Sequence, residues 1–491
     1  MSPATLVPIQ IADGTLAEAL SRVLAAAAGA TYLVGGAVRD LLLRRSPRDL
    51  DVVVEADAIQ LGRRLEQETA CKPVVLNERP AVVRLVWHAG AQVLDLLELE
   101  GTLDQDLRRR DCTVNAMALR LVPTDAGLAG ELRDPLSGRD DLDARLLRMT
   151  SEHALTEDPV RVLRVFRLAA QLGFEVEDRT RSAIVRHADE VRRAAPERVQ
   201  EELLLLLEAT PCNQALHDCA ASGVLLQALP ELAPLRGLGE NGYHHLDAWA
   251  HSLEVVEALD TLLLGEQPLL EPDVLAQAQA LLARPYLTGC TNVALLKLAG
   301  LLHDVGKPAT ATQDERGLHF YRHDVLGAQM AEDIAARLRF SREAQRALAL
   351  LVREHLRPGF LADLPASSER AVNRFFRRLG DQAVAALLLA LADRLAARGP
   401  AATEEWLLRQ ARTVNTLARE YFRRAQQPAS EPLLNGHDLM ARYGLQPGRL
   451  VGKALALLRR AQEEGQLRTR AEAEAWLDAR MPQLLRDTSG R

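Results

Sequence analysis

Apolar residues along this chain follow two rhythms, and the change between them divides it. In the first hundred residues the runs are short and rich in β-branched residues and leucine. They are Tyr32-Leu33-Val34, Leu50-Asp51-Val52-Val53-Val54, Val74-Val75-Leu76, Val82-Val83-Arg84-Leu85-Val86 and Val93-Leu94-Asp95-Leu96-Leu97. Runs of this length and composition predict strands. Residues from about 15 to 30, and Ala58 to Glu68, carry apolar positions at helical spacing instead. The pattern predicts a small mixed sheet with flanking helices. From Gly173 to about Leu235 the spacing is helical throughout, and it stays helical through most of the remainder. The expected fold class is therefore α+β, a sheet-bearing head followed by an all-α body.

The densest candidate chemistry lies between the first two strands. Gly35-Gly36-Ala37-Val38-Arg39-Asp40 forms a glycine turn leading into helix, and Asp49-Leu50-Asp51 opens the next strand. Alternate strand residues share a face, so Asp49 and Asp51 point the same way with Leu50 turned inward. Paired carboxylates suit Mg²⁺, which takes one or two protein carboxylates together with substrate phosphates. The glycines let backbone N–H groups approach a triphosphate closely. Asp95, on another predicted strand, is a candidate third acidic residue, with pairing to a nearby arginine as the equal alternative.

Two further stretches extend the picture. Arg108-Arg109-Arg110-Asp111-Cys112-Thr113-Val114-Asn115 offers guanidinium forks for phosphate oxygens, and Asp or Asn for sugar hydroxyls. It leads into an apolar segment read as helix, so Arg110, Asp111 and Asn115 are expected to face a cleft. Glu157-Asp158-Pro159-Val160-Arg161 then predicts a helix start capped by Asp158. Asp158, Arg161 and Arg164 would be neighbours on its face. A carboxylate beside a guanidinium offers the acceptors and donors that a base edge requires.

A second constellation begins near residue 243, with Tyr243-His244-His245 and His251. It continues with His303-Asp304-Val305-Gly306-Lys307, His323-Asp324, His355 and Asp393. Imidazole nitrogens and carboxylates suit a divalent transition metal with open positions for water and a phosphate ester. The stretch from about Gly265 to Pro285 reads as an insertion without chemistry, and Pro400 to Glu404 as a linker.

Composition narrows the class. The 491 residues are 48% hydrophobic, only 4% aromatic, and carry a formal net charge of −7. Sizeable cores are affordable, but no global basic field recruits nucleic acid, so RNA binding would need local patches. Candidates are Arg192, Arg193, Arg374, Arg377 and Arg378. Five cysteines without a Cys-x-x-Cys pair, no signal-like N-terminus and no long apolar run together predict a reduced cytoplasmic protein with no membrane partner.

Taken together, these motifs resemble the bacterial class II tRNA nucleotidyltransferases, the CCA-adding enzyme family, in the form that carries an HD domain. The resemblance covers most of the chain, including Leu434-Asn435-Gly436 near its end. It implies a polymerase β-like nucleotidyltransferase head (residues 1–150), a helical template and neck (151–235), an HD phosphohydrolase-like domain (236–400) and a helical tRNA-binding tail (401–491). It further implies that Asp49 and Asp51, with Asp95, are catalytic and that the first two bind Mg²⁺. Nucleotide binding would fall to Gly35, Gly36, Arg39, Arg110, Asp111, Asn115, Glu157, Asp158, Arg161 and Arg164. Asp158 and Arg161 would select the base, with Glu157 orienting Arg161. His251, His303, Asp304 and Asp393 would hold the HD metal. The substrates implied are tRNA, CTP and, as an open second nucleotide, ATP.

Full CCA-adding members of the family carry a flexible loop of about twenty residues or more before the arginine motif. Here Leu97-Glu98-Leu99-Glu100-Gly101-Thr102-Leu103-Asp104-Gln105-Asp106 runs almost directly into Arg108. In the family, shortening of that loop is associated with enzymes that add only the two cytidines, which implies a CC-adding member with a companion A-adding enzyme. The alternatives are a poly(A) polymerase, an HD phosphohydrolase with an RNA-binding head, and a tRNA-binding scaffold.

Overall fold

The computed structural model describes all residues except 1–5, 48, 88–91, 126, 240–246, 287–290, 316, 364–368, 398, 400–401, 427–431, 464–465 and 490–491. Tyr243, His244, His245 and Cys290 fall among the exceptions, as does part of the expected 400–404 linker. The chain forms two compact units, residues 1–234 with 334–341, and residues 235–333 with 342–491.

The first unit is built on an eight-stranded sheet. Its strands are β1 (Leu6–Pro8), β2 (Thr31–Val34), β3 (Leu50–Val54), β4 (Lys72–Glu78), β5 (Ala81–Trp87), β6 (Gln92–Glu98), β7 (Ala118–Thr124) and β8 (Gly127–Arg133). Their order is β1-β8-β7-β2-β3-β6-β5-β4. Only β3 and β6 run parallel, and their register sets Asp51 opposite Asp95. Leu33, Val34, Val52, Val54, Leu94 and Leu96 are fully buried, each worth roughly 2 kcal/mol of apolar burial. That core makes the central strands a rigid base for the residues at their ends.

Two segments differ from the sequence expectation. The segment after Arg110 is not helix but a single 3-10 turn, Thr113–Asn115, followed by β7. Its Ala, Met and Leu residues favour helix, but pairing beside β2 on one edge and β8 on the other wins. The turn is pinned by Gly138, where a Cβ would lie 2.1 Å from the Thr113 carbonyl oxygen. The helix expected to start at Asp158 begins instead at Arg161; Asp158 ends the short helix His153–Glu157.

Behind the sheet, the helix Arg161–Leu172 buries Val162, Leu163, Val165, Phe166, Leu168 and Ala169 against the helix Pro196–Glu208. Glu202, on the second of these, has its side chain 6% exposed and sits 2.6 Å from both Arg164 Nε and Arg167 Nε. Removing one member of such a group strands the others' charges out of water. Glu202→Ala is therefore expected to cost about 3–5 kcal/mol, read as a lowered melting temperature; a melting temperature equal to wild type would contradict this bridging role.

The second unit is helical apart from one small hairpin, Thr312–Asp314 with Gly317–His319, among the described residues. Its core packs Ala248–Leu264, Asn292–Leu302 and Ala383–Ala396, of which the last two are buried nearly all round. The expected insertion contains a helix, Pro272–Leu282, held by Arg419 through Asp273 and Glu271. A separate apolar cluster that includes Leu434, Leu439, Val451, Ala454 and Leu477 closes the tail. Cys71, Cys112, Cys212 and Cys219 are buried thiols outside any disulfide among the described residues.

Candidate functional sites

A cleft of about 1150 Å³ opens at the ends of β2 and β3 in the first unit. The antiparallel register sets Val34 beside Asp51, so the glycine turn and the carboxylate meet. Gly35 holds φ +73°, and a Cβ there would lie 3.0 Å from Arg110 Nη1 and 3.3 Å from Asp51 Oδ2. Only glycine fits both the backbone and the gap. Burial pushes the Asp51 carboxyl above its usual range, and Asp95 and Asp49 add to the rise against the opposing pull of Arg110. A carboxylate so placed gains from a cation, and its hold on one weakens as pH falls into the carboxylate range. Asp49 is exposed at the cleft wall.

Asp95 does not line this cleft. Both its oxygens accept from Arg84, at 2.8 Å each. Arg84 faces it directly across the β5–β6 ladder, so the arginine pairing weighed from the sequence is what the geometry gives.

A continuous polar chain forms the opposite wall. Arg39 Nη1 donates to Asn115 Oδ1 at 2.7 Å, and Asn115 Nδ2 donates to Asp111 Oδ1 at 3.1 Å. Asp111 Oδ2 lies 3.8 Å from Arg164 Nη1, which Glu202 anchors from behind. Arg39, Arg110, Asp111, Asn115, Glu157, Arg161 and Arg164 all line the cleft, with Gly35 and Gly36. Asp106, Arg109 and Arg167 line it as well.

Arg161 is the informative member. Its Nη1 donates to the Ala154 carbonyl, but its Nε is buried with no hydrogen-bond partner, the nearest Asp158 oxygen being 3.6 Å away. Its charge is met by the Asp158 carboxylate, while the Nε–H keeps its hydrogen-bonding capacity. Glu157 meets Arg161 only as a long ion pair: its Oε1 accepts twice from Arg109, and Arg161 Nη1 is 4.0 Å from its other oxygen. Asp158 is not among the lining residues of the cleft and receives both Nη groups of Arg198, at 2.7 and 2.8 Å. Burial alone pushes the Asp158 carboxyl up, but the Arg198 fork and nearby Arg161 outweigh it and hold it below the usual range. Nothing in the sequence singled out Arg198 or Glu202, whose partners are about forty positions away.

The second unit gathers six metal-type donors in two adjoining triads. His251, His303 and Asp393 form one, and Asp304, His323 and His355 the other, with the donor atoms of each within 4.8 Å of one another. The four residues expected as a single set thus divide, Asp304 falling with the two further histidines. His251 Nε2 is 2.9 Å from Asp393 Oδ1, and His303 Nε2 is 3.2 Å from Asp304 Oδ2. His303, His323 and His355 each turn Nδ1 to a backbone carbonyl three residues earlier, at 2.7–2.8 Å. That bond fixes each Nδ1 as the donor and leaves Nε2 available to a metal.

The charges of this donor set are strongly coupled, two carboxylates against imidazole and ammonium groups. Burial pushes His303 down, but the Asp304 and Asp393 carboxylates outweigh it and carry its pKa up to about 10. Both carboxyls lie well below their usual range, held there against burial by His303 and by Lys307 or His251. Burial, then the charge of His303, pushes His355 down to about 4, so it is a neutral donor. His303 Nε2 lies between two carboxylates, 3.2 Å from Asp304 Oδ2 and 3.6 Å from Asp393 Oδ1.

Of the arginines suggested for RNA contact, Arg193 is paired with Glu190, and Arg378 with the buried Glu354. No helix among the described residues is long and apolar enough to cross a membrane.

Comparison with known proteins agrees along the whole chain. Residues 31–98 and 89–148 match the family described as "Poly A polymerase head domain". Residues 173–235 match "Probable RNA and SrmB- binding site of polymerase A", and residues 248–398 match "HD domain". A CC-adding tRNA nucleotidyltransferase of Thermus thermophilus is 37% identical over 454 residues, covering 91% of this chain and 92% of its own. An A-adding tRNA nucleotidyltransferase of Deinococcus radiodurans is 35% identical, covering 91% of this chain and 94% of its own. Among solved structures, a Thermotoga maritima CCA-adding enzyme complexed with tRNA has a TM-score of 0.57 at 20% identity, covering 96% of this chain and 97% of its own. Both of these relatives are nucleotidyltransferases of tRNA and align along nine-tenths of the chain. The chain belongs to the bacterial tRNA nucleotidyltransferases that carry an HD domain.

Proposed function

We propose that this protein is a CC-adding enzyme: it transfers CMP twice from CTP to the 3′ end of tRNA and leaves the terminal A to a companion A-adding enzyme. The observation that carries the subtype is the connection from β6 to the arginine motif. Only Leu99, Glu100, Gly101 and Thr102 separate β6 from the helix Leu103–Arg108. Thr102 caps that helix in a capping box with Gln105, so the connection is short and fixed at its far end.

In this reading Asp49 and Asp51 hold Mg²⁺, which when bound lowers the pKa of the attacking 3′-hydroxyl and stabilises the pyrophosphate that leaves. Backbone N–H groups around Gly35 and Gly36, with Arg39 and Arg110, bind the triphosphate. Asp111 and Asn115 take the ribose, which the Arg39–Asn115–Asp111 chain orients. Arg161 offers its unpartnered Nε, beside Asp158, to the cytosine edge. Asp95 serves as a positioning residue through Arg84. Glu157 fixes Arg109.

At the HD centre we propose a divalent transition metal held by His251, His303, Asp304 and Asp393, with His323 and His355 as further donors. The chemistry is hydrolysis of a phosphate ester: water adds to phosphorus, one P–O bond breaks, and the released oxygen takes a proton. Lys307, with Nζ 2.5 Å from Asp304 Oδ2, keeps that carboxylate ionised.

The test is extension of tRNA ending at the discriminator base, with CTP, ATP and Mg²⁺ together. Growth by two residues and then arrest is expected. No growth, or growth past two, contradicts the reading.

A further inference from the structure

We infer that the mouth of the HD centre continues into a binding subsite for single-stranded RNA, built by Tyr321, Arg322, Arg346 and Arg353. The inference rests on reading that centre as a phosphohydrolase and adds its substrate class: a polynucleotide end rather than a free mononucleotide.

Aromatic residues are scarce in this chain, and nearly all the described ones are buried or half-buried. The two exposed ones, Tyr321 at 69% and Phe360 at 66%, both line the opening of about 480 Å³ that contains Asp304, His323, His355 and Asp393. Tyr321 is already stacked on His319, with ring centroids 5.4 Å apart and planes 22° from parallel. Exposing an aromatic face wastes apolar area unless something covers it, and a flat ring beside a phosphate-handling site is what a nucleobase stacks on.

A second groove, of about 700 Å³, runs on from the first and shares Tyr321 and Arg322 with it. Arg346 and Arg353 stand along it, both exposed, and neither has an ion pair or side-chain hydrogen bond among the described residues. One carboxylate, Glu332, also lines it, leaving an excess of positive charge. Tyr321 thus stands at the junction, with the metal-type donors on one side and guanidinium groups on the other. A terminal phosphate at the donors, its base on Tyr321 and the preceding phosphates along Arg322, Arg346 and Arg353 satisfies each of these features. A mononucleotide leaves the second groove empty, and an acidic peptide leaves the rings uncovered.

The experiment compares hydrolysis by the full-length protein of a uridine 2′,3′-cyclic phosphate with that of a trinucleotide ending in the same group. The trinucleotide is expected to have a KM about tenfold lower. Arg346→Ala with Arg353→Ala is expected to abolish that advantage and leave the mononucleotide KM unchanged. Tyr321→Ala should raise both, and Tyr321→Phe should restore them. Equal KM values in the wild type, or an advantage that survives in the double variant, overturns the subsite. Competition by oligoglutamate as strong as by the trinucleotide does so too. If neither compound is hydrolysed, the phosphohydrolase reading fails. The groove is then judged by photocrosslinking a trinucleotide ending in 4-thiouridine: adducts on the peptide containing Tyr321, lost in the double variant, uphold it, and their absence overturns it.

Discussion

Asp51→Asn is expected to lower CMP addition by more than about a thousandfold while leaving phosphate-ester hydrolysis at the HD centre unchanged. The substitution keeps the size of the side chain but removes a negative charge from the cleft, beside Gly35 and Arg110. Activation of the 3′-hydroxyl and relief of pyrophosphate charge both depend on a divalent ion at that point. A loss of this size from one carboxylate is the mark of a group that acts only in the transition state. The two reactions share no residue, so an equal fall in both would signal unfolding. A thermal melt matching wild type, with only addition lost, is the expected pattern. Residual addition within tenfold of wild type would remove Asp51 from the mechanism.

The second large effect is expected at Arg161. Arg161→Ala should lower kcat/KM for CTP by about a hundredfold, the size of a lost charge-assisted hydrogen bond in a buried site. It should also narrow the preference for CTP over UTP, because a site built to hydrogen-bond a base rejects others by leaving its own polar groups unpaired. Arg161→Lys keeps the charge and loses the planar fork, and is expected to recover little. A loss confined to KM, with the nucleotide preference intact, would instead make Arg161 a general phosphate contact.

The sequence made the central strands and the paired carboxylates plain because their signals are local. Apolar β-branched runs mark β2, β3, β5 and β6, and Asp49-Leu50-Asp51 opens one of them. What it hid depends on partners distant in the chain. The strand β7 reads as helix because Ala118, Leu119 and Leu121 carry no strand bias of their own, and pairing with β2 and β8 decides it. Arg198 on Asp158 and Glu202 under Arg164 join residues about forty positions apart, so spacing rules that look three or four residues ahead miss both. The same limit applies at the HD centre. His323 and His355 stood out as residues, but their grouping with Asp304 follows from how separate helices pack. The family resemblance made Glu157 the residue that orients Arg161, yet Arg109 binds Glu157 at 2.8 Å while Arg161 stands 4.0 Å from it.

The central claim is that the fixed four-residue connection after β6 confines this cleft to cytidine addition. Its most direct test is tRNA ending in CC, offered ATP and Mg²⁺ with purified protein. The account predicts no extension, while the same preparation adds two cytidines to tRNA ending at the discriminator base. Addition of a terminal A to the CC end would contradict it.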